Sequence, residues 1–337
     1  MSLFSRAGRG RRLAVCAALA ALLAGCTQRV PEVTSGEYQR SWGLGAINAM
    51  GAYQAGATGR GVKVAMIDCG LQGAPREVLR NVSRNSVDIF GAERALPATD
   101  RHGTYMAGPL GSALDRKGLV GVAYNAELLS VRADIEGGHN GQCAFKPSSL
   151  ARAVQYAADQ KARVIVMPLQ ATRPMGAPFE TALKNAVDSG AVVVIAAGNR
   201  SGEQPTYPAR YASDPRFAGS LVAVGATKAD GELTSWSNRA GATQAWYLAA
   251  PGERVVTDCG RKTCRLVSGT SFAAAYVAGA VALVMEARPQ LSGREALALL
   301  LHNARDSGDP GADPTYGSGV LDVGKVFPQT AEAKRRG

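Results

Sequence analysis

Five apolar runs of strand length punctuate this chain: Val62 to Ile67, Leu128 to Val131, Arg163 to Leu169, Ala191 to Ala197 and Leu221 to Val224. Helical patterning occupies stretches between them, at Ser148 to Gln160 and Pro178 to Ser189. The runs are continuously apolar and do not alternate with polar residues, which requires burial on both faces. Strands of that kind separated by helices predict an α/β fold, a mainly parallel sheet with helices on both faces. In such sheets ligands bind beyond the carboxyl ends of the strands. Asp68 and Asn199 each fall just past the end of a run, where a site belongs. With 46% hydrophobic and 19% charged residues, the 337-residue chain carries ample material for one large core, which excludes disorder throughout.

Three short segments then carry chemistry. Asp68-Cys69-Gly70 closes the first run, His102-Gly103-Thr104 precedes Met106-Ala107-Gly108, and Gly269-Thr270-Ser271 opens a helix of small residues. A serine hydroxyl is a weak nucleophile and needs an adjacent imidazole, which in turn needs a buried carboxylate to fix its tautomer. Gly-Thr-Ser by itself reads equally well as a helix cap. The three segments together supply nucleophile, base and orienting carboxylate.

The chain order Asp, His, Ser, with HGTYMAG and GTSFAAAYVAG, resembles the subtilisin-like serine peptidases and differs from the order in other serine hydrolases. The resemblance runs from about Ser41 to about Phe327. It takes in AAGN at Ala196 to Asn199, TYPARY at Thr206 to Tyr211, AVGAT at Ala223 to Thr227, APG at Ala250 to Gly252 and YGSGVLD at Tyr316 to Asp322. It implies a subtilisin-like three-layer fold and hydrolysis of peptide bonds in proteins through an acyl-enzyme. Ser271 would be the nucleophile, His102 the general base, Asp68 the orienting carboxylate, and Asn199 a side-chain donor to the oxyanion. Leu169, Gln170, Ala197, Gly198, Arg200 and Thr206 fall where the family binds substrate, and Arg200 with Thr206 hints at acidic or polar side chains. Asp100, two residues before His102, reads as a solvated loop residue.

The departures are as informative. Cys69 stands where the family has Ser or Thr beside the aspartate, and Val166-Met167-Pro168-Leu169-Gln170 replaces a substrate strand that reads like NMSLG. Pro168 removes a backbone donor, and Gln170 fills a position where glycine lets substrate approach. These changes favour an alternative: a catalytically decayed scaffold acting as a surface binding module. An esterase of another fold is disfavoured, because no G-x-S-x-G elbow surrounds Ser271. The loop Asp115-Arg116-Lys117-Gly118, where many family members bind calcium, is basic and poor in oxygen ligands, so no metal or other cofactor is expected.

The amino end has the form of a secretion signal. Arg6, Arg9, Arg11 and Arg12 precede the apolar Leu13 to Leu23, and Leu23-Ala24-Gly25-Cys26 resembles the bacterial lipobox. The apolar run is short of the roughly 20 residues of a spanning helix. Residues 1–25 are therefore expected to be a lipoprotein signal peptide, with Cys26 lipidated, residues 26–40 a tether, 41–328 the peptidase domain and 329–337 a basic tail. Thr27 lacks the aspartate of inner-membrane retention, which favours the outer membrane of a bacterial envelope. Residues 27–39 are too few for an inhibitory prodomain, an arrangement similar to the peptidase units of autotransporter serine peptidases, although no translocator follows. The net charge of +11 falls to +7 once the four signal arginines leave. The remaining basic residues are scattered without interleaved aromatics, so the expected partners are protein or peptide substrates and the membrane, with no nucleic acid, and the chain is expected to be a monomer.

Cys16 leaves with the signal, so Cys69, Cys143, Cys259 and Cys264 remain for an oxidising compartment. Cys259 and Cys264 flank a turn-like stretch between Val255-Val256 and Leu266-Val267, which predicts a hairpin closed by a disulfide. Cys69 and Cys143 are then left to each other or free.

Overall fold

Each apolar run becomes a strand because its β-branched residues find a packed layer on both sides. The computed structural model describes residues 30–91, 100–135, 138, 142–260 and 263–328. The expected signal segment, Cys26 and the tail 329–337 lie outside the described residues. Seven strands form one sheet: β1 (Lys63–Asp68), β2 (Val87–Asp88), β3 (Glu127–Arg132), β4 (Val164–Met167), β5 (Val192–Ala196), β6 (Leu221–Thr227) and β7 (Tyr247–Pro251). Their spatial order is β2-β3-β1-β4-β5-β6-β7, and every pairing is parallel. A two-stranded hairpin, β8 (Val255–Thr257) with β9 (Arg265–Val267), stands apart from the sheet.

Alternate residues of the strands divide between two cores. Ala65, Ile67, Leu129, Val131, Ile165, Met167, Val193 and Ile195 face one layer, where α2 (Pro147–Asp159) brings Leu150 and Val154 and α3 (Ala177–Asp188) brings Phe179 and Leu183. Val64, Met66, Val166, Val194 and Val224 point the other way and are equally buried. Over that face lies α4 (Thr270–Ala287), which packs on β4, β5, β6 and β7, with α1 (His102–Gly111) against it and α5 (Gly293–His302) behind. Helices thus cover both faces, as the unbroken apolar runs require.

Helix α4 is apolar all round because it is surrounded. It is long and apolar enough to cross a membrane, yet 89% of that window is buried inside the fold. Its close approach to neighbouring chain depends on Gly279, where a Cβ would come 2.6 Å from Val122 Cβ.

Two strands differ from expectation. Strand β4 stops at Met167, two residues before Leu169, because Pro168 has no N–H to continue a ladder. Strand β7, Tyr247-Leu248-Ala249-Ala250-Pro251, is fully buried on the sheet edge, although its short run escapes pattern reading. Chain ahead of residue 41 also packs on the body. A turn of helix at Gly36–Arg40 buries Glu37 and Tyr38, Glu37 Oε2 accepts the Arg116 N–H at 2.8 Å, and Arg40 Nε donates to Gly118 O at 2.6 Å.

Candidate active site

Strand β1 is central, with β3 on one side and β4 on the other, so the chain's winding changes direction around it. A crevice opens beyond the carboxyl ends of strands at such a switch point. Asp68 terminates β1 there and is 1% exposed. Its Oδ1 accepts the Cys69 N–H at 2.7 Å, and the carboxylate faces His102 Nδ1 at 3.0 Å (Oδ1) and 2.9 Å (Oδ2). A carboxylate so buried is tolerated because these donors satisfy it.

His102 is the first residue of α1, and its N–H donates to Asp100 Oδ1 at 2.9 Å. The helix approaches β1 closely enough that a Cβ at Gly103 would collide with the Gly70 carbonyl oxygen, which is why glycine follows the histidine. Burial pulls the imidazole pKa down. The charge and hydrogen bond of Asp68, with the charge of Asp100, outweigh that pull and leave it raised above the ordinary histidine value.

Ser271 lies in the first turn of α4, where the backbone N–H groups have no partner within the helix and the dipole favours negative charge. Its hydroxyl donates to the Pro168 carbonyl at 3.0 Å. Across from it, Asn199 follows β5 through Gly198, whose φ of +114° suits glycine. Asn199 Oδ1 accepts both the N–H and the hydroxyl of Thr270, at 2.9 and 2.8 Å. That pairing fixes the amide's orientation and leaves Nδ2 with no hydrogen-bond partner among the described residues. The Thr270 hydroxyl also accepts the Gly198 N–H at 3.1 Å, locking the two loops together.

These groups open onto one cavity of about 240 Å³, lined by Asp100, His102, Gln142, Cys143, Phe145, Pro168, Leu169, Gln170, Ala196, Asn199, Thr270 and Ser271. A serine hydroxyl, an imidazole paired to a carboxylate, and a side-chain amide therefore meet in one crevice, the kinds of group from which an acyl-transfer site is built. A sequence model described as the subtilase family matches residues 59–319, more than half of the chain. The chain belongs to the subtilase family.

As a subtilase it is 31% identical over 282 residues to Subtilisin BL of Lederbergia lenta, covering 84% of this chain and 96% of that one. It is 33% identical over 251 residues to the major intracellular serine protease of Bacillus subtilis (strain 168), covering 72% and 74%. Among solved structures, a protease from Pseudoalteromonas arctica PAMC 21717 superimposes with a TM-score of 0.73 at 23% identity, over 89% of this chain and 99% of that one, a likeness of fold. The subtilase is accordingly a serine protease of the subtilisin type, and its substrates are proteins or peptides.

Of the positions expected to bind substrate, Leu169 and Gln170 line the cavity. Ala197 and Gly198 stand behind Asn199, and Thr206 is tied back to the Ala197 carbonyl through its N–H (2.8 Å) and hydroxyl (3.2 Å). Arg200 is exposed and does not line the cavity; its N–H donates to Asn238 Oδ1 at 3.0 Å. The Gln170 side chain reaches across to accept the Asn199 N–H at 3.1 Å.

Both cysteine pairs are disulfides, Cys259–Cys264 closing the β8–β9 hairpin and Cys69–Cys143 joining positions 74 residues apart. The second bridge anchors Gln142, Cys143 and Phe145 beside Asp68, so a wall of the cavity comes from a loop that motif reading left out. The open pairing of Cys69 with Cys143 was the signal that could have found it. The ligand atoms of Asp68, Cys69 and Cys143 lie within 4.8 Å of one another, but two sulfurs bonded together offer no thiolate to a metal.

Proposed function

We propose that this subtilase is an endopeptidase in which Ser271 attacks the scissile carbonyl, His102 takes its proton, Asp68 holds and charge-stabilises the imidazolium, and Asn199 Nδ2 with the Ser271 N–H receives the oxyanion. The observation that carries this reading is the Asp68–His102 pair at 2.9 Å, opening on the same cavity as Ser271 and Asn199. In the first half-reaction the Ser271 Oγ–carbonyl bond forms, the C–N bond breaks, and His102 returns the proton to the leaving amine. In the second, water attacks the acyl-enzyme, gives its proton to His102, and Ser271 leaves with that proton. The donor amides act on charge that develops only in the transition state, which is why they accelerate the reaction instead of merely binding substrate.

The resting hydroxyl points at Pro168 O, and the proposed mechanism requires it to turn to His102 when substrate binds. Engagement of the nucleophile on substrate binding is common when apo hydrogen bonds are loose. That same contact, with Pro168 and Gln170 in the substrate strand, favours the second reading, a scaffold that binds without cutting. Hydrolysis of casein by the purified mature protein decides between them: turnover abolished by Ser271→Ala and by His102→Ala supports the peptidase, and no turnover from folded protein supports the binding module.

The envelope location belongs to the same proposal. The arginine-rich start, short apolar run and Leu-Ala-Gly-Cys box support acylation of Cys26 and retention at a bacterial membrane, with the protein acting as a monomer without cofactor. Incorporation of an alkynyl palmitate in cells, lost in Cys26→Ser, is the test.

A further inference from the structure

Among the described residues three large apolar side chains are strongly exposed, Val33 (58%), Leu79 (51%) and Leu266 (54%). Single exposed apolar residues carry no message, but these three belong to elements that meet at one loop, residues 113–118. Val33 precedes the turn of helix whose Glu37 accepts the Arg116 N–H and whose Arg40 donates to Gly118 O. Leu79 ends a short helical turn, Arg76–Leu79, in which the Glu77 carbonyl accepts the Ala113 N–H at 2.9 Å. Leu266 lies on β9, and a Cβ at Gly118 would come 3.2 Å from Cys259 Cβ in the hairpin that β9 completes.

Charge at this place is divided between inside and outside. Glu37 and Glu77 are buried, and the Asp115 side chain is covered and paired with Arg80 at 3.1 Å. Asp258, also largely covered, lies 3.7 Å from Arg265. Arg76, Arg80, Arg116 and Lys117 are exposed on the loop and the turn beside it, and Arg265 is exposed next to Leu266. Glu32 is an exposed carboxylate among them, 4.0 Å from Arg116. The outermost groups are thus mainly cationic and surround exposed apolar side chains, a combination suited to an anionic headgroup layer and its acyl boundary.

The position of the tether decides what covers this face. Pro31 is five positions beyond Cys26, and even a fully extended chain of that length spans at most about 18 Å. Pro31 is buried and Glu32 lies beside Arg116, so the chain joins the body at the edge of loop 113–118. We propose that the surface around this loop, with Val33, Leu79, Arg76, Arg116 and Lys117 at its centre, is a membrane-docking face that lies on anionic lipid headgroups. This inference rests on the lipid-anchor reading of Cys26, because a short acylated tether keeps this face, and not a distant one, against the bilayer.

The test uses the full-length protein, extracted from cell membranes and reconstituted on phosphatidylcholine vesicles with and without phosphatidylglycerol. Backbone hydrogen exchange read by mass spectrometry is expected to slow several-fold at residues 32–40, 76–81 and 113–118 on the anionic vesicles, and to recover as salt rises. Residues 168–170 in the crevice are the reference and are expected to stay the same. Arg76→Gln combined with Lys117→Gln, both at exposed positions, is expected to abolish the slowing. Equal exchange on both vesicles, slowing confined to other surfaces, or slowing that survives the double substitution overturns the proposal. The wild-type comparison stands even if the variant fails to fold. If intact mass shows no acyl group on the chain, it is the anchor reading that fails, and the face is then judged on Cys26→Ser by flotation with the same vesicles. Binding to the anionic vesicles that the double substitution weakens about 25-fold, at about fivefold per cation, supports the inference, and no preference for them overturns it.

Discussion

His102 Nδ1 faces both carboxylate oxygens of Asp68, at 3.0 and 2.9 Å, from the first residue of a helix, while Asp68 itself is 1% exposed at the end of the central strand. The pair fixes the ring's orientation: with Nδ1 engaged by Asp68, Nε2 is the nitrogen that the proposed mechanism assigns to the Ser271 proton. Its charge also raises the histidine pKa against the opposing effect of burial.

The pH dependence follows with a definite sign. A general base works when neutral, so kcat/KM rises with pH through the His102 pKa, and the acid limb is expected above the ordinary histidine value of about 6.5. Asp100 contributes to the raised pKa, so Asp100→Asn moves the limb to lower pH on charged and neutral substrates alike. A pH profile whose limb lies below the ordinary value, or does not move in the variant, contradicts this electrostatic account.

Asn199 is oriented by Thr270, which donates twice to its Oδ1. Asn199→Ala is expected to lower kcat by about 10²–10³ with little change in KM, because the lost donor acts on the transition state. Thr270→Val, which keeps the shape and loses the hydroxyl donor, lets the amide turn and should lower kcat by roughly tenfold. Steady-state kinetics on one peptide substrate read both, and a change confined to KM is the result that contradicts the assignment.

The Cys69–Cys143 bridge closes a long loop, and bridges of that span stabilise by about 4 kcal/mol where native geometry is kept. Replacing both cysteines by serine should therefore lower Tm. It should also raise KM more than it lowers kcat, since the cavity wall at Gln142, Cys143 and Phe145 loses its anchor while the Asp68–His102 pair remains. Thermal melts and Michaelis kinetics are the checks, and an unchanged KM tells against the loop as a substrate wall.

Calcium is not expected to matter at the loop 115–118, because protein groups hold it. Glu37 accepts the Arg116 N–H, Arg40 donates to the Gly118 carbonyl, and Arg80 pairs with Asp115 at 3.1 Å. Melting with a chelator and with added calcium should give the same Tm. A fall on chelation would show a cation held there.

Much of this architecture is written locally. An unbroken run such as Val64-Ala65-Met66-Ile67 is buried on both faces, and the aspartate that ends it faces the crevice because strands in a parallel sheet end together. Helix α4 is recognisable from its small residues alone. What local pattern does not report is which distant segments meet. Asp100 looks like a solvated turn residue until Cys143 arrives at its second oxygen, and Cys143 arrives because it is bonded to Cys69, 74 positions away. Arg200 shows the converse, since it occupies a substrate position by family pattern yet its side chain lies outside the cavity. Strand β7 is missed for a simpler reason: five residues ending in proline carry too little periodicity to separate a buried strand from a loop.

Activation of the Ser271 hydroxyl is read directly by intact-mass and peptide mapping after exposure of the folded protein to a fluorophosphonate at a pH above the His102 limb. One adduct per chain is expected, located on Ser271, absent from Ser271→Ala and strongly reduced in His102→Ala. Folded wild-type protein that forms no adduct, or forms it on another residue, contradicts it.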